Sequence, residues 1–226
     1  MIRGAIFDVD GTLLDSMPIW HTLGEDYLRS LGIEPRENLA ETFKTFTLSE
    51  SARYYQTHYG VTLSEEEIIA GVNRLVENFY RFQAPLRPGA AEFLARLDAQ
   101  SIPMTIATAT DRPLIEAALE RCGVRRYFRE ILTCADVGCG KEQPRIYDRA
   151  LQTLGTPRAQ TWVFEDAFHA ARTAHAAGFP VLGIFDPSEK EQSGLQQVST
   201  VYLQDFREAD AFWTAALDGA SGSQSV

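Results

Sequence analysis

The chain has 226 residues, of which 45% are hydrophobic and 23% charged, the proportions of a soluble globular protein. No stretch approaches the ~20 apolar residues of a membrane-spanning helix, and no apolar segment typical of a signal peptide follows the first residues, so we expect a cytoplasmic protein. The net charge of −10 disfavours nucleic acid or anionic membranes as partners. Three cysteines without paired spacing argue against a disulfide framework.

Six short apolar runs are typical of buried strands. They lie at residues 2–7, 103–108, 130–133, 161–165, 180–184 and 199–203. Helical patterns separate several of these runs, and the alanine-rich segment 167–177 ends at Gly178, a natural residue after a helix. Alternating strands and helices predict an α/β fold with a Rossmann-like parallel sheet. In such a sheet the ligand site lies at the carboxyl ends of the strands.

Residues 16–87 break this alternation, because they carry helical patterns and no convincing strand. Helices are expected at 17–31, 37–45 and 49–59, and Ser64 and Glu67 form a capping box that opens a fourth. A Pro/Gly-rich connector closes the segment. We therefore predict three parts, namely a core domain of residues 1–15 and 88–218, an inserted helical cap domain of residues 16–87 and a flexible tail of residues 219–226.

Residues that could contact a ligand follow the ends of four predicted strands. In chain order they are Asp8, Asp10, Gly11, Thr108, Ala109, Thr110, Lys141, Glu165 and Asp166. Because the carboxyl ends of parallel strands meet at one edge of the sheet, we expect these groups to lie together. Asp8 and Asp10 would share one face of a regular strand, and Gly11 allows a sharp turn and close approach to a ligand.

Several carboxylates in one pocket repel each other, and a hard cation such as Mg²⁺ relieves that repulsion. The predicted metal ligands are Asp8, Asp10, Glu165 and Asp166. A lysine and hydroxyl groups add hydrogen-bond donors for the oxygens of an anion. A carboxylate cluster with Mg²⁺, lysine and threonine is typical of phosphoryl transfer.

These motifs resemble those of the haloacid dehalogenase-like hydrolase superfamily over about residues 1–215. The resemblance rests on the DVDGT stretch at residues 8–12, followed by LLDS, and on Thr108, Lys141 and Glu165-Asp166 in this order. The helical insert resembles the C1 cap of the subgroup that contains phosphoglycolate phosphatase and β-phosphoglucomutase. The resemblance implies a Mg²⁺-dependent phosphatase of a small phosphorylated metabolite, with a mobile helical cap over a Rossmann-like core.

The resemblance also implies a role for each matching residue. Asp8 attacks phosphorus and becomes an aspartyl-phosphate. Asp10 protonates the leaving oxygen and then activates the hydrolytic water, while its backbone carbonyl binds Mg²⁺. Lys141 neutralises charge on Asp8 and on the phosphoryl group.

The other matching residues would hold phosphate or metal. Thr108 and the amide of Ala109 hold the phosphoryl oxygens, and Thr110 is either a further phosphate ligand or a turn residue. Asp166 binds the metal, and Glu165 does so directly or through water.

The chain departs from the usual family pattern at four positions. Glu142 and Arg145 replace a proline and an aspartate of the third motif, and Ala167 and Ala170 replace a serine and a glycine of the fourth. None of the four replaces a residue expected to contact metal or phosphate.

Three residues of the insert are candidate substrate contacts, namely Trp20, His21 and Arg53. Packing within the insert is the more ordinary explanation for Trp20, and solvation on a helix surface is the more ordinary explanation for Arg53. A substrate role therefore depends on where the fold places them.

Other activities are known on related motifs. Asp10 argues against a dehalogenase and against a phosphonate hydrolase, since those members of the superfamily lack this aspartate. A phosphonate hydrolase also uses a lysine of the cap as a Schiff base, and Lys44 is the only lysine of the insert. A β-phosphoglucomutase-like phosphotransferase stays open, although Trp20 stands where that group has a histidine and His21 is adjacent. A non-catalytic binding module on the same fold is the fourth alternative. We expect a monomer or a weak homodimer.

Overall fold

A computed structural model describes residues 1–43 and 46–218. The chain divides into a larger unit, formed by Met1–Asp15 and the chain from Pro85 onward, and a helical unit, Ser16–Ala84. The predicted insert ended at residue 87, but residues 85–87 lie with the larger unit. There Leu86 pairs with Leu14 through an isolated bridge, and the amide of Arg87 donates to the carbonyl of Leu13 at 2.8 Å. Lys44 and the predicted tail 219–226 lie outside the described residues.

The larger unit contains one six-stranded parallel sheet among its described residues. Its strands are β1 (Gly4–Phe7), β2 (Met104–Thr108), β3 (Phe128–Thr133), β4 (Thr161–Glu165), β5 (Val181–Ile184) and β6 (Val201–Leu203). The spatial order is β3-β2-β1-β4-β5-β6, which confirms the predicted parallel α/β sheet. Strand order reverses at β1, and ligands of such sheets bind outside the carboxyl ends of the strands at that point.

Helices occupy both units. Those of the helical unit are α1 (Met17–Ser30), α2 (Leu39–Phe43), α3 (Leu48–Tyr59) and α4 (Glu65–Phe82). Those of the larger unit are α5 (Ala90–Ala99), α6 (Arg112–Arg121), α7 (Cys134–Val137), α8 (Arg145–Leu154), α9 (Phe168–Ala176), α10 (Gln192–Val198) and α11 (Asp210–Asp218), with short 3₁₀ turns at Arg125–Tyr127, Arg158–Gln160 and Phe206–Glu208. Over the part of the chain that is described, no helix combines the length and apolar character needed to cross a membrane.

The two faces of the sheet are packed differently. Because side chains alternate along a strand, Ile6 of β1 joins a buried hydrophobic cluster with residues of α8 and α9, while Phe7 points to the opposite face. On that face Phe7 stacks on Phe164 with ring centroids 4.0 Å apart, and Phe93 of α5 packs edge-on against both rings. The layers on either side fix β1 and β4, and with them the ends that carry Asp8 and Glu165.

The helical unit has its own buried cluster, which includes Tyr27, Leu28, Tyr55 and Ile68. Tyr55 is buried, and its hydroxyl donates to the Gly24 carbonyl at 2.9 Å, which places this tyrosine in packing. The predicted capping box is present at the start of α4. Among the described residues of this unit the elements are helices, as predicted, and no strand is present.

Candidate active site

Asp8 lies directly after β1 at the carboxyl edge of the sheet. Its backbone amide donates to the Phe164 carbonyl of β4 at 3.0 Å, which fixes the start of the loop. Because β1 ends at Phe7, neither Asp8 nor Asp10 lies on a strand. The strand geometry expected for this pair therefore does not apply, because both residues lie in the loop. Their carboxylates have different hydrogen-bond partners, Lys141 for Asp8 and Thr110 for Asp10.

The loop after Asp8 requires glycine at position 11. Gly11 has φ +79°, in the left-handed region, and its amide donates to the Leu14 carbonyl at 2.9 Å. A Cβ atom at this position would overlap the Asp166 carboxylate. Glycine thus serves both the turn and the close approach of two segments that are distant in sequence.

Lys141 joins two of the predicted carboxylates. Its side chain is buried, and its Nζ donates to Asp8 Oδ1 and, at 2.7 Å, to Glu165 Oε1. Desolvation lowers the pKa of this lysine, but the Asp8 and Glu165 carboxylates outweigh that effect and raise the pKa above its usual value. The ammonium therefore stays protonated and holds both acids.

Asp166 completes a group of three buried carboxylates. One oxygen each from Asp8, Glu165 and Asp166 lies within 4.8 Å of the other two. The hydroxyl of Thr12 donates to Asp166 Oδ1 at 2.9 Å and orients that side chain. Carboxylate oxygens at this spacing are the donors that hard divalent cations such as Mg²⁺ prefer. The residues present therefore fit a Mg²⁺ ion.

The charges of the cluster do not balance. Burial raises the pKa of Asp8 to about 7, against the opposing effect of Lys141. Burial, with the charges of Asp8 and Glu165 added, also raises the pKa of Asp166 well above its usual value. One ammonium faces three carboxylates, so ionising all three costs free energy that a divalent cation would offset.

Asp10 lies outside this three-carboxylate group, and its carboxylate accepts from the Thr110 hydroxyl at 2.7 Å. The Thr110 amide in turn donates to the hydroxyl oxygen of Thr108 at 3.1 Å. Thr108 is buried at the end of β2, and Ala109 beside it is exposed. The metal role predicted for Asp10 runs through its backbone carbonyl and stays a prediction.

The candidate residues of the insert lie on two helices of the helical unit. Trp20 and His21 are exposed on α1. Arg53 is exposed on α3, where its Nε lies 3.2 Å from Glu65 Oε2. Their contact with substrate stays a prediction.

Two residues with site contacts were missed by sequence reasoning. Thr12 was part of the motif but received no role, although it holds Asp166. Tyr147 was not considered, and its hydroxyl donates to Glu165 Oε1 at 2.8 Å. A buried tyrosine six residues after the motif lysine carries no signal that separates it from ordinary core packing.

Comparison with known proteins places these observations in a family. Residues 2–178 match the family described as haloacid dehalogenase-like hydrolase. Hexitol phosphatase A of Escherichia coli (strain K12) is 30% identical, over 83% of this chain and 85% of that protein. Protein CbbY of Rhodobacter capsulatus is 29% identical, over 83% of this chain and 86% of that protein.

A solved structure shares the fold. A putative β-phosphoglucomutase from Thermotoga maritima matches with a TM-score of 0.82, over 95% of this chain and 99% of that chain. The identity is 23%, so this likeness is evidence for the fold alone.

Proposed function

The chain belongs to the haloacid dehalogenase-like hydrolases and is a phosphatase of phosphate monoesters, and we propose that it acts on a small phosphorylated sugar or polyol, with Mg²⁺ and through a phosphate carried on Asp8. The observation that supports this most is the buried cluster in which Lys141 joins Asp8 and Glu165 beside Asp166. The similarity to a hexitol phosphatase favours a phosphorylated polyol or sugar as the substrate class.

In the first half-reaction Asp8 is the nucleophile. A carboxylate oxygen of Asp8 forms a bond to phosphorus while the bond from phosphorus to the ester oxygen breaks. Lys141 keeps Asp8 oriented and offsets its negative charge. Asp10, held by Thr110, gives its proton to the leaving oxygen, so the alcohol departs neutral.

In the second half-reaction Asp10 is the base. It takes a proton from a water molecule, whose oxygen attacks phosphorus and displaces the Asp8 carboxylate. The products are inorganic phosphate and the starting enzyme, with Asp10 again protonated. The hydroxyl of Thr108 and the amide of Ala109 would hold the phosphoryl oxygens through both steps.

Asp8 and Asp166 would hold Mg²⁺, with the Asp10 carbonyl oxygen and with Glu165 directly or through water. When bound, the ion neutralises charge on the phosphoryl oxygens and on the cluster. Trp20, His21 and Arg53 would select the substrate from the insert. We place the enzyme in the cytoplasm, where its three free cysteines would stay reduced.

The test is phosphate release from a panel of sugar, polyol and glycolate phosphates, with Mg²⁺ and with excess EDTA. We expect turnover of at least one polyol or sugar phosphate with Mg²⁺, and none after metal is removed. Asp8→Asn should be inactive, whereas Asp98→Asn, at an exposed aspartate of α5, should behave as wild type. Release that persists in EDTA would contradict the metal requirement. Isomerisation of a hexose phosphate without net phosphate release would indicate the phosphotransferase instead.

A further inference from the structure

Tyr147 is a buried residue of α8 whose hydroxyl faces the candidate active site. It donates to Glu165 Oε1 at 2.8 Å, while the Ala170 carbonyl oxygen lies farther away at 3.4 Å. A buried tyrosine needs a partner for its hydroxyl, and a backbone carbonyl would satisfy it. The shorter contact goes instead to a carboxylate, and hydrogen bonds to an ionised acceptor are the stronger kind.

The oxygen that Tyr147 contacts is also the one that holds Lys141. Glu165 Oε1 accepts from Lys141 Nζ at 2.7 Å, and the same Nζ donates to Asp8. A continuous chain of hydrogen bonds therefore runs from Tyr147 through Glu165 and Lys141 to Asp8. Two donors on a single carboxylate oxygen fix the rotation of the Glu165 side chain more firmly than one.

Tyr147 acts only as a donor in this chain. Its hydroxyl lies within hydrogen-bond distance of two acceptor oxygens, Glu165 Oε1 and the Ala170 carbonyl oxygen. The ring is held in the core, where it packs against Phe179 with centroids 6.2 Å apart. The hydroxyl is thus a fixed point, whereas Glu165 and Lys141 have flexible side chains that need such a point.

We propose that Tyr147 is a positioning residue that acts through Glu165 to hold Lys141 against Asp8 for phosphoryl transfer. This inference rests on the proposed function, because it assigns Tyr147 to the same reaction. Tyr147 contacts neither the nucleophile nor the phosphoryl group. Loss of the Tyr147 hydroxyl should therefore reduce the enzyme's binding of the transition state more than its binding of the substrate.

The test is Tyr147→Phe, which removes one oxygen atom and keeps the ring. The matched control is Tyr202→Phe in the same unit, because the Tyr202 hydroxyl donates to Gln192 Oε1 at 2.7 Å, away from the cluster. With Mg²⁺ and p-nitrophenyl phosphate, kcat of Tyr147→Phe should fall about 10-fold or more, as is usual for groups that orient active-site ligands. KM should change much less than kcat, and Tyr202→Phe should keep the wild-type kcat.

Inhibition by orthovanadate, a mimic of the transferring phosphoryl group, gives a second readout. In Tyr147→Phe the affinity for orthovanadate should fall by about the same factor as kcat/KM. The affinity for inorganic phosphate should fall by less. If Tyr147→Phe kept the wild-type kcat and orthovanadate affinity, or failed to fold where Tyr202→Phe folds, the hydroxyl would serve the core and the inference would be wrong. A wild-type protein without phosphatase activity would instead contradict the proposed function.

Discussion

Two buried ionic groups lie after strands of the same sheet, and they differ in charge balance. After β5, Arg87 pairs with Asp186 at 3.0 Å, and both side chains are almost inaccessible to solvent. The guanidinium also donates to the Phe185 carbonyl at 2.5 Å, and Asp186 accepts from the Ser188 amide at 2.8 Å. One positive charge meets one negative charge, and backbone groups satisfy most of the remaining hydrogen-bonding capacity of the two side chains.

The charges of the group after β1 and β4 do not cancel in this way. Within residues 1–43 and 46–218, Lys141 is the one cation that faces the carboxylates of Asp8, Glu165 and Asp166. Burying unbalanced charge is costly unless a ligand compensates it. The balanced pair therefore serves the fold, whereas the unbalanced group is suited to a cation and an anionic substrate. Breaking each group in turn should separate stability from activity.

The largest effect should come from Asp8→Asn. Removal of the nucleophile should lower kcat for the best substrate on the order of 10⁴-fold or more. The fold should persist, since an amide replaces a carboxylate of the same size, and circular dichroism checks this. Residual turnover near the wild-type rate would show that Asp8 is not the nucleophile.

Arg87→Met should break the balanced pair and leave Asp186 buried without its partner. The free energy of unfolding, measured in urea, should fall by about 3–5 kcal/mol, with a much smaller change in kcat per folded molecule. Arg81→Met is the control, because it breaks an exposed pair with Glu77 at 2.8 Å. In that control the free energy of unfolding should fall by about 1 kcal/mol or less. Equal losses in the two variants would contradict the role given to Arg87.

Mg²⁺ should stabilise the unbalanced group. At 100 times its dissociation constant the ion should add about 2.7 kcal/mol to the free energy of unfolding and raise Tm. Asp166→Ala removes one of the three carboxylates and should abolish most of this gain. Asp98→Asn should retain it. A Tm that rises equally in Asp166→Ala and wild type would place the ion elsewhere.

The smallest effect on stability should come from Arg53→Ala. The arginine of its ion pair with Glu65 is exposed to solvent. The free energy of unfolding should therefore change by about 1 kcal/mol or less. If the insert selects the substrate, the order of preference among sugar phosphates should nevertheless change, while turnover of p-nitrophenyl phosphate stays close to wild type. A uniform change across all substrates would remove Arg53 from substrate selection.

Much of this architecture could be predicted from the sequence, because the period of apolar residues and the turn residues act locally. All six strands and the capping box of α4 followed from such patterns. The helix α10 did not, since Gly194 lowers its helix propensity. Tertiary packing decides there, because a Cβ at Gly194 would come within 2.8 Å of the Phe168 ring.

The site was predictable in composition but not in contacts. The expectation that Asp8, Lys141 and Glu165 lie together was correct, although Lys141 follows α7 and not the end of β3 directly. The bond from Thr12 to Asp166 joins residues 154 positions apart, and no spacing rule anticipates it. The partner of Asp10 depended on β1 ending at Phe7, a boundary that apolar periodicity does not define to one residue.

Trapping of the phosphorylated enzyme would show whether Asp8 carries the phosphoryl group during turnover. Asp10→Asn should slow turnover by about 10²–10⁴-fold and leave Asp8 able to attack an activated ester. We would mix this variant with Mg²⁺ and p-nitrophenyl phosphate, quench in acid and map phosphate by peptide mass spectrometry. We expect one phosphoryl group on the peptide that contains Asp8, and none in the double variant that also carries Asp8→Asn. Turnover without any phosphorylated peptide, or phosphate on another residue, would contradict it.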